Sequence, residues 1–298
     1  MHHPSLPLAY REPLYRPPSE ADSLILQATI GCSWNRCSFC EMYTDRHFRP
    51  RPQQEVVAEI EALGRHPMRY RRVFLADGDA LVLSNRRLLP LLAAIREHLP
   101  WTTRVSCYAS PDNLLRKSPE ELAELRAAGL RLVYLGIESG DDEVLTRIAK
   151  GATHTETVQA LNRAATAGIK RSVMIINGLG GRSLSTRHAD ASAALLNATR
   201  PEYASVLALV LHNDGARYRE AFGPDWEPLD DYELLQELRR LLAACDLERT
   251  LFRSNHASNR LALAGTLNRD RQRLLEEIDA VLAGHPSLAL RPGHARRL

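Results

Sequence analysis

The chain has 298 residues, 44% of them hydrophobic and 25% charged, with a formal net charge of +3 at pH 7. This length is enough for one large α/β domain with an ample buried core. No stretch approaches the roughly 20 apolar residues of a membrane span, and no basic block resembles a nucleic-acid arm. The composition therefore argues against a membrane or nucleic-acid partner. The first 20 residues contain no apolar segment of signal-peptide type, so we expect a cytoplasmic location.

Strand and helix patterns alternate six times along the chain, which indicates a parallel sheet with helical crossovers. In chain order, the predicted strands are residues 23–31, 71–79, 104–110, 130–139, 169–178 and 203–211. Two of the predicted helices begin at Pro52 and at Ser118. The other predicted helices cover about 85–98, 142–148, 155–167, 189–197 and 234–242. Ser118 and Glu121 form a capping-box pattern, and Gly168 is placed to end a helix. Six units are fewer than the eight of a closed barrel.

The pattern divides the chain into three parts. We expect residues 1–22 to form an extended arm and residues 23–246 to form the α/β domain. We expect residues 247–298 to be an extension that covers it, with a helix and a flexible tail.

Three of the five cysteines, Cys32, Cys37 and Cys40, lie within nine residues of a polar segment that reads as a loop. Three thiolates cannot complete a tetrahedral zinc site and cannot saturate a four-iron cluster, so one metal position stays open. The alternatives are three buried core thiols or a zinc site completed by a distant histidine. The isolated Cys107 and Cys245 fall on apolar faces and are interpreted as core residues.

The cysteine segment resembles the radical S-adenosylmethionine (radical SAM) superfamily, in which three clustered cysteines bind a [4Fe-4S] cluster and S-adenosylmethionine chelates the fourth iron. Phe39, directly before Cys40, also fits the family pattern. The spacing C-x4-C-x2-C departs from the commonest family spacing, which has three residues between the first two cysteines. The resemblance implies a partial (β/α)6 TIM-like barrel with a short C-terminal helical extension.

The resemblance also assigns residues at the ends of the predicted strands. Gly78 and Asp79, after the second strand, correspond to a family motif that holds the amino group of the cofactor, with Asp in place of Glu. Glu138 and Ser139, after the fourth strand, correspond to residues near the ribose, and a carboxylate there can accept hydrogen bonds from two vicinal hydroxyls. Gly178, after the fifth strand, corresponds to a glycine beside the adenine. Taken alone, Asp-Gly and Gly-rich turns also occur in ordinary loops.

The polar segment 252–259 is the least expected feature outside the barrel. It holds Arg253, which can grip a carboxylate, and His256, which can move a proton, with Asn255 and Asn259. If the segment is helical, Asn255 and Asn259 share one face and Ser254 and Ser258 share the adjacent one. We interpret Arg253 and His256 as candidate catalytic residues and all four as candidate substrate ligands. The alternative is a helix cap followed by solvated polar residues.

The resemblance implies an enzyme that cleaves S-adenosylmethionine reductively to a 5′-deoxyadenosyl radical, which then abstracts hydrogen from a substrate. The implied partners are a small-molecule substrate and an electron donor such as flavodoxin or ferredoxin. The residues alone leave two alternative functions open: a non-catalytic iron–sulfur electron carrier and a zinc-binding module.

Overall fold

The structure, a computed structural model, describes residues 6–211, 215–285 and 290–291. The chain forms two compact units. The first comprises the described residues of Met1–Asn35, Met42–Leu135 and Asn162–Arg171, and the second those of Arg36–Glu41, Gly136–Leu161 and Ser172–Leu298. Within the described ranges, no helix is both long and apolar enough to cross a membrane.

The described residues form ten strands and ten α-helices. The strands are β1 (Leu24–Gln27), β2 (Thr29–Ile30), β3 (Arg49–Pro50), β4 (Arg72–Ala76), β5 (Arg104–Tyr108), β6 (Leu130–Glu138), β7 (Lys170–Asn177), β8 (Tyr203–Ala208), β9 (Leu251–Ser254) and β10 (Leu263–Thr266). The helices are α1 (Gln53–Arg65), α2 (Asn85–His98), α3 (Pro111–Leu115), α4 (Pro119–Ala128), α5 (Asp142–Arg147), α6 (His154–Thr166), α7 (Gly181–Thr199), α8 (Ala216–Phe222), α9 (Asp231–Ala244) and α10 (Arg271–Leu282).

In the first unit, β1, β4, β5 and the start of β6 pair side by side in parallel. The register places Leu24 opposite Val73 and Val73 opposite Val105. Four of the five residues of β4 are buried, as expected for a parallel strand with both faces covered. The carboxyl ends of these strands therefore lie at one edge of the sheet.

In the second unit, β7 and β8 pair in parallel over six residues, and β9 pairs in parallel with β8. The last strand, β10, runs antiparallel to β9. The strands β9 and β10 extend this part of the sheet beyond the six predicted strands. The C-terminal extension thus contains a helix, as expected, and also two strands that the sequence pattern did not indicate.

Most predicted elements are confirmed, and the exceptions have physical causes. The helix predicted from residue 189 is α7, which begins at Gly181. The sequence pattern missed its first two turns because their residues are mostly small or polar and hide the apolar periodicity. The helical alternative for residues 252–259 is wrong: Phe252 to Ser254 belong to β9. Of the predicted arm and tail, residues 1–5, 286–289 and 292–298 lie outside the described residues.

The local capping signals are confirmed. The Ser118 side chain accepts from the Glu121 amide, and the Glu121 side chain accepts from the Ser118 amide, which completes the capping box of α4. Gly168, after α6, has a φ of 73°, the left-handed conformation in which glycine ends helices. Pro52 precedes α1 as its N-cap rather than as its first helical residue.

The arm is anchored by a buried carboxylate. Glu20 is fully buried, and its Oε1 accepts hydrogen bonds from the Arg104 guanidinium and the Tyr134 hydroxyl, both at 2.6 Å. The Ser106 hydroxyl donates to the same oxygen at 2.9 Å. Burial raises the pKa of Tyr134, and the hydrogen bond to Glu20 adds to this effect. The arm is thereby tied to β5 and β6.

We predict that Glu20→Ala lowers the free energy of unfolding by about 3–5 kcal/mol, because the Arg104 cation and the three hydroxyls of Ser23, Ser106 and Tyr134 lose their buried acceptor. Urea denaturation followed by circular dichroism measures this change. Asp22→Ala is the matched control, since the Asp22 side chain is 90% exposed and pairs with Arg72 only at 3.4 Å. An equal loss in both variants would contradict a specific role for Glu20.

Candidate functional site

The first part of the cysteine loop, in the first unit, lies against the turn that follows β4. The Gly78 amide donates to the Gly31 carbonyl at 3.2 Å. A Cβ at residue 78 would lie 2.7 Å from the Cβ of Cys32, closer than two such atoms can pack. Residue 78 must therefore be glycine for Cys32 to take this position.

Two buried carboxylates of the same turn brace the loop. Asp79, 2% exposed, accepts from the Ser33 amide at 2.9 Å through Oδ1 and from the Ser33 hydroxyl through Oδ2. Asp77, also buried, accepts from the Tyr43 hydroxyl at 2.7 Å and from the Gly31 amide at 3.3 Å. Burial raises the pKa of both carboxyls, while these hydrogen bonds act in the opposite direction. Asp77 thus holds both sides of the segment that carries Cys32.

The second part of the loop, in the second unit, is held by other groups. The Ser38 amide donates to the Ile148 carbonyl at 3.0 Å. Phe39 packs against a hydrophobic cluster that includes Val144, Tyr218 and Phe222. The ring of Phe39 is therefore part of the packing that fixes the segment between Cys37 and Cys40.

The five thiols divide into two groups by burial. Cys32, Cys37 and Cys40 are partly exposed, whereas Cys107 and Cys245 are buried. Burial raises the pKa of both Cys107 and Cys245 to about 12, which disfavours the thiolate that metals require. The interpretation of these two as core residues is in line with this finding.

The donor set fits a [4Fe-4S] cluster with three protein ligands. Each thiolate of such a cluster binds a different iron, so its ligands need not converge on one point. Among the described residues, no three His, Cys, Asp or Glu side chains group as a single metal ion would require.

Glu138, at the end of β6, is held in an unusual conformation in the second unit. Its φ is 62°, in the left-handed region that side chains with a Cβ seldom occupy. Its Oε1 accepts a hydrogen bond from Lys150 Nζ at 3.0 Å, and Glu138 is 8% exposed. The carboxylate folds back over Gly136, where a Cβ would overlap it. Residue 136 must therefore lack a side chain for Glu138 to adopt this position.

A buried polar network lies beside Glu138. The Ser139 hydroxyl, fully buried, accepts from the Asp141 amide at 3.0 Å and is hydrogen-bonded to His188 Nδ1 at 2.8 Å. His188 Nε2 lies 3.7 Å from Glu237 Oε1, and that oxygen accepts from the Gly178 amide at 2.6 Å. The predicted residues Ser139 and Gly178 are thus connected through α7 and α9. Ser139 and Gly178 are both buried, so neither residue presents an exposed polar atom.

The segment 252–259 is divided between solvent and interior. Arg253 and Asn255 are exposed, and His256 is half-buried with its pKa lowered by burial. Asn259 is buried and donates to the Val206 carbonyl at 2.8 Å. It lines a cavity of about 20 Å³ together with Asn177 and Ser254, a volume that holds roughly one water molecule.

The structure brings Asn259 to this cavity and leaves Arg253 and Asn255 at the surface. Arg260, which sequence reasoning did not single out, lines the cavity instead. It is paired with Asp231.

Several other residues of the site were missed. Lys150 received no role in the sequence analysis, although it follows the strand-end carboxylate Glu138 by twelve residues and donates to it. Glu237 lies on the leucine face of α9, and a carboxylate on an apolar face is itself a signal for a buried partner. His188 preceded the predicted start of its helix. Arg217 lies on α8, which the sequence pattern did not indicate.

A family model described as the Radical SAM superfamily matches residues 26–193. An uncharacterized protein of Methanopyrus kandleri is 30% identical over 171 residues, which are 53% of this chain and 32% of that protein. The match thus spans about a third of the length of that relative.

Two solved structures are similar in fold. Coproporphyrinogen III oxidase from Escherichia coli, described as a radical SAM enzyme, has a TM-score of 0.57 at 18% identity and covers 74% of this chain and 52% of that one. The radical SAM methyltransferase TsrM from Kitasatospora setae, solved with cobalamin and a [4Fe-4S] cluster, has a TM-score of 0.56 at 16% identity and covers 87% and 61%. These likenesses confirm the fold class, a mostly parallel α/β sheet of the partial TIM-like barrel type.

We predict that Asp79→Ala speeds amide hydrogen exchange at Ser33 even without any cofactor, because the Ser33 amide loses its acceptor and opens to solvent more often. Exchange measured by mass spectrometry on peptides covering residues 31–35 detects this. Asp112→Ala is the control, since this side chain is 51% exposed and pairs on the surface with Arg116. Unchanged exchange at Ser33 in Asp79→Ala would count against the bracing role.

Proposed function

Because the chain belongs to the radical SAM superfamily and is an enzyme, we propose that it cleaves S-adenosylmethionine reductively and begins radical chemistry on a small-molecule substrate. Its cofactors are those of the family, a [4Fe-4S] cluster and S-adenosylmethionine. When bound, these groups supply one-electron reduction and a carbon radical that abstracts hydrogen, while the protein positions and shields them.

The division of the thiols is the observation that carries the proposal. Cys32, Cys37 and Cys40 are the partly exposed cysteines of the chain, and the remaining two are buried with raised pKa values. We assign the three to the cluster. Gly78 makes room for Cys32, and Ser33, braced by Asp79, fixes the backbone next to it.

The cofactor residues at the strand ends take distinct roles in this proposal. Glu138 offers a carboxylate to the two ribose hydroxyls, and Lys150 orients that carboxylate through a hydrogen bond of 3.0 Å. Gly178 and Ser139 act through their backbone positions, which the buried network fixes. Asp79 and Gly78 shape the end of the site that would receive the amino group. Phe39 fixes the segment between Cys37 and Cys40 by packing within the second unit.

The electron donor in this proposal is a small redox protein such as flavodoxin or ferredoxin. The substrate is a small molecule, and Arg253, Asn255, His256 and Asn259 remain candidates for its recognition. A non-catalytic electron carrier would not need a carboxylate held at a strand end as Glu138 is. A zinc module would bind zinc in place of iron and sulfide.

Anaerobic reconstitution with iron and sulfide, followed by reduction in the presence of S-adenosylmethionine, tests the proposal. Formation of 5′-deoxyadenosine is the expected result. A bound cluster without this product would favour an electron carrier, and binding of zinc alone would favour a structural module.

We predict that replacing Cys32, Cys37 or Cys40 with Ala abolishes or destabilises the cluster, since one iron loses its thiolate in each variant. Iron and sulfide analysis with visible absorption measures the loss. Cys107→Ser and Cys245→Ser are the matched controls and should load normally if they fold. Cluster loss in a folded control would overturn the ligand assignment.

We predict that Glu138→Gln weakens binding of S-adenosylmethionine by about 1–3 kcal/mol, because a charged acceptor for two hydroxyls becomes neutral. Isothermal titration of the reconstituted protein measures the affinity. Glu143→Gln is the control, since Glu143 is paired with Arg147 and Arg187 on the surface of α5. Equal affinity in wild type and Glu138→Gln would remove Glu138 from the cofactor site.

A further inference from the structure

An arginine far along the sequence donates a hydrogen bond to the backbone of the cysteine loop. Arg217, on the first turn of α8, donates from Nη1 to the carbonyl oxygen of Cys40 at 3.0 Å. The two residues are separated by 177 positions in the sequence, so the contact depends on the fold of the second unit. Arg217 is half-buried, which limits the screening of its charge by solvent.

The helix that carries Arg217 is fixed by aromatic packing. Tyr218 and Phe222 are buried on one face of α8 and stack with their ring centroids 5.6 Å apart. Trp226 meets Tyr218 edge-on at 5.2 Å. Phe39, from the cysteine loop, packs against this same cluster. The loop and α8 are therefore joined by two kinds of contact, an apolar one at Phe39 and a polar one at Cys40.

Other arginines in this unit are neutralised by carboxylates. Arg147 pairs with Asp225 at 3.0 Å, Arg182 with Glu233 at 2.7 Å, and Arg240 with Asp190 at 2.7 Å. Arg217, in contrast, donates its hydrogen bond to an uncharged acceptor, the Cys40 carbonyl.

We infer that Arg217 is a positioning residue for the Cys40 end of the loop and that its charge makes the cluster easier to reduce. The inference rests on the proposed function, since it takes Cys40 as a cluster ligand. A bound cluster would supply one-electron redox chemistry, and its reduced state, formed with an electron from an external reductant, would carry one more negative charge. A nearby cation stabilises that more negative state relative to the oxidised one, and charge and hydrogen bonding around a cluster set its potential.

Three variants separate the charge of Arg217 from its hydrogen bond. Arg217→Met removes both, Arg217→Gln keeps a donor for the Cys40 carbonyl without the charge, and Arg217→Lys keeps the charge. Arg219→Met is the matched control, because it removes the same charge from the same helix. The Arg219 guanidinium lies over the Trp226 ring, 4.8 Å from its centroid, instead of at the loop.

The measurement is a redox titration of the reconstituted cluster without S-adenosylmethionine, followed by electron paramagnetic resonance. We expect the equilibrium constant for reduction to fall about tenfold in Arg217→Met and Arg217→Gln, which corresponds to about 59 mV for one electron. Arg217→Lys and Arg219→Met should stay near wild type. Loss of the cluster to a chelator should be faster in Arg217→Met than in Arg217→Gln.

The outcomes are distinct. A wild-type protein that binds no iron–sulfur cluster would overturn the proposed function itself. A wild-type cluster with the same midpoint potential in Arg217→Met, Arg217→Gln and wild type would overturn the inference and leave the proposed function intact. If Arg217→Met does not fold, the comparison of Arg217→Gln with Arg217→Lys decides the role of the charge.

Discussion

If Cys32, Cys37 and Cys40 bind a cluster, as proposed, the constraint on which the site depends is that their thiolates cannot also hold the loop in place. The loop must be fixed through its backbone and its neighbouring side chains. In the first unit, buried carboxylates do this: Asp79 accepts from both donors of Ser33, and Asp77 connects Gly31 with Tyr43. In the second unit, the Ser38 amide, the Phe39 ring and the Cys40 carbonyl are each engaged. These contacts fix the loop through backbone groups and through side chains other than the three cysteines.

A second constraint acts at Glu138, whose positive φ is unfavourable for a residue with a side chain. Such a conformation persists only where the surroundings over-determine it. Here the Gly140 amide donates to Ser192 at 2.9 Å, and the Gly140 carbonyl is hydrogen-bonded to His154 Nδ1 at 2.7 Å. With Ser139 fixed by His188, the turn after β6 has little freedom. A buried hydrogen-bond network specifies one arrangement where its polar groups are satisfied, as they are at Ser139 and Gly140. Farther along the network, His188 Nε2 and Glu237 Oε2 have no hydrogen-bond partner among the described residues.

Features encoded locally could be read from the sequence. The cysteine spacing, the apolar strands and the Ser118 capping box depend on residues close together in the chain, and the structure has the strands and the box where the pattern predicts them. Features made by distant residues could not be read in the same way. The donor to Cys40 comes from Arg217, and the partner of Ser139 comes from His188, 49 positions away. No local pattern distinguishes these two from other polar residues on a helix.

Lys150 gives the carboxylate of Glu138, which is 8% exposed, a charged hydrogen-bond partner at 3.0 Å. A buried charge without a partner is strongly unfavourable, whereas a paired one is tolerated when hydrogen bonds satisfy it. Lys150 Nζ donates to Glu138 Oε1, and each carboxylate oxygen has two acceptor positions. A diol could therefore be accepted without displacing the lysine. The short helix α5 separates the two residues in the sequence, and the hydrogen bond joins Lys150 to the end of β6.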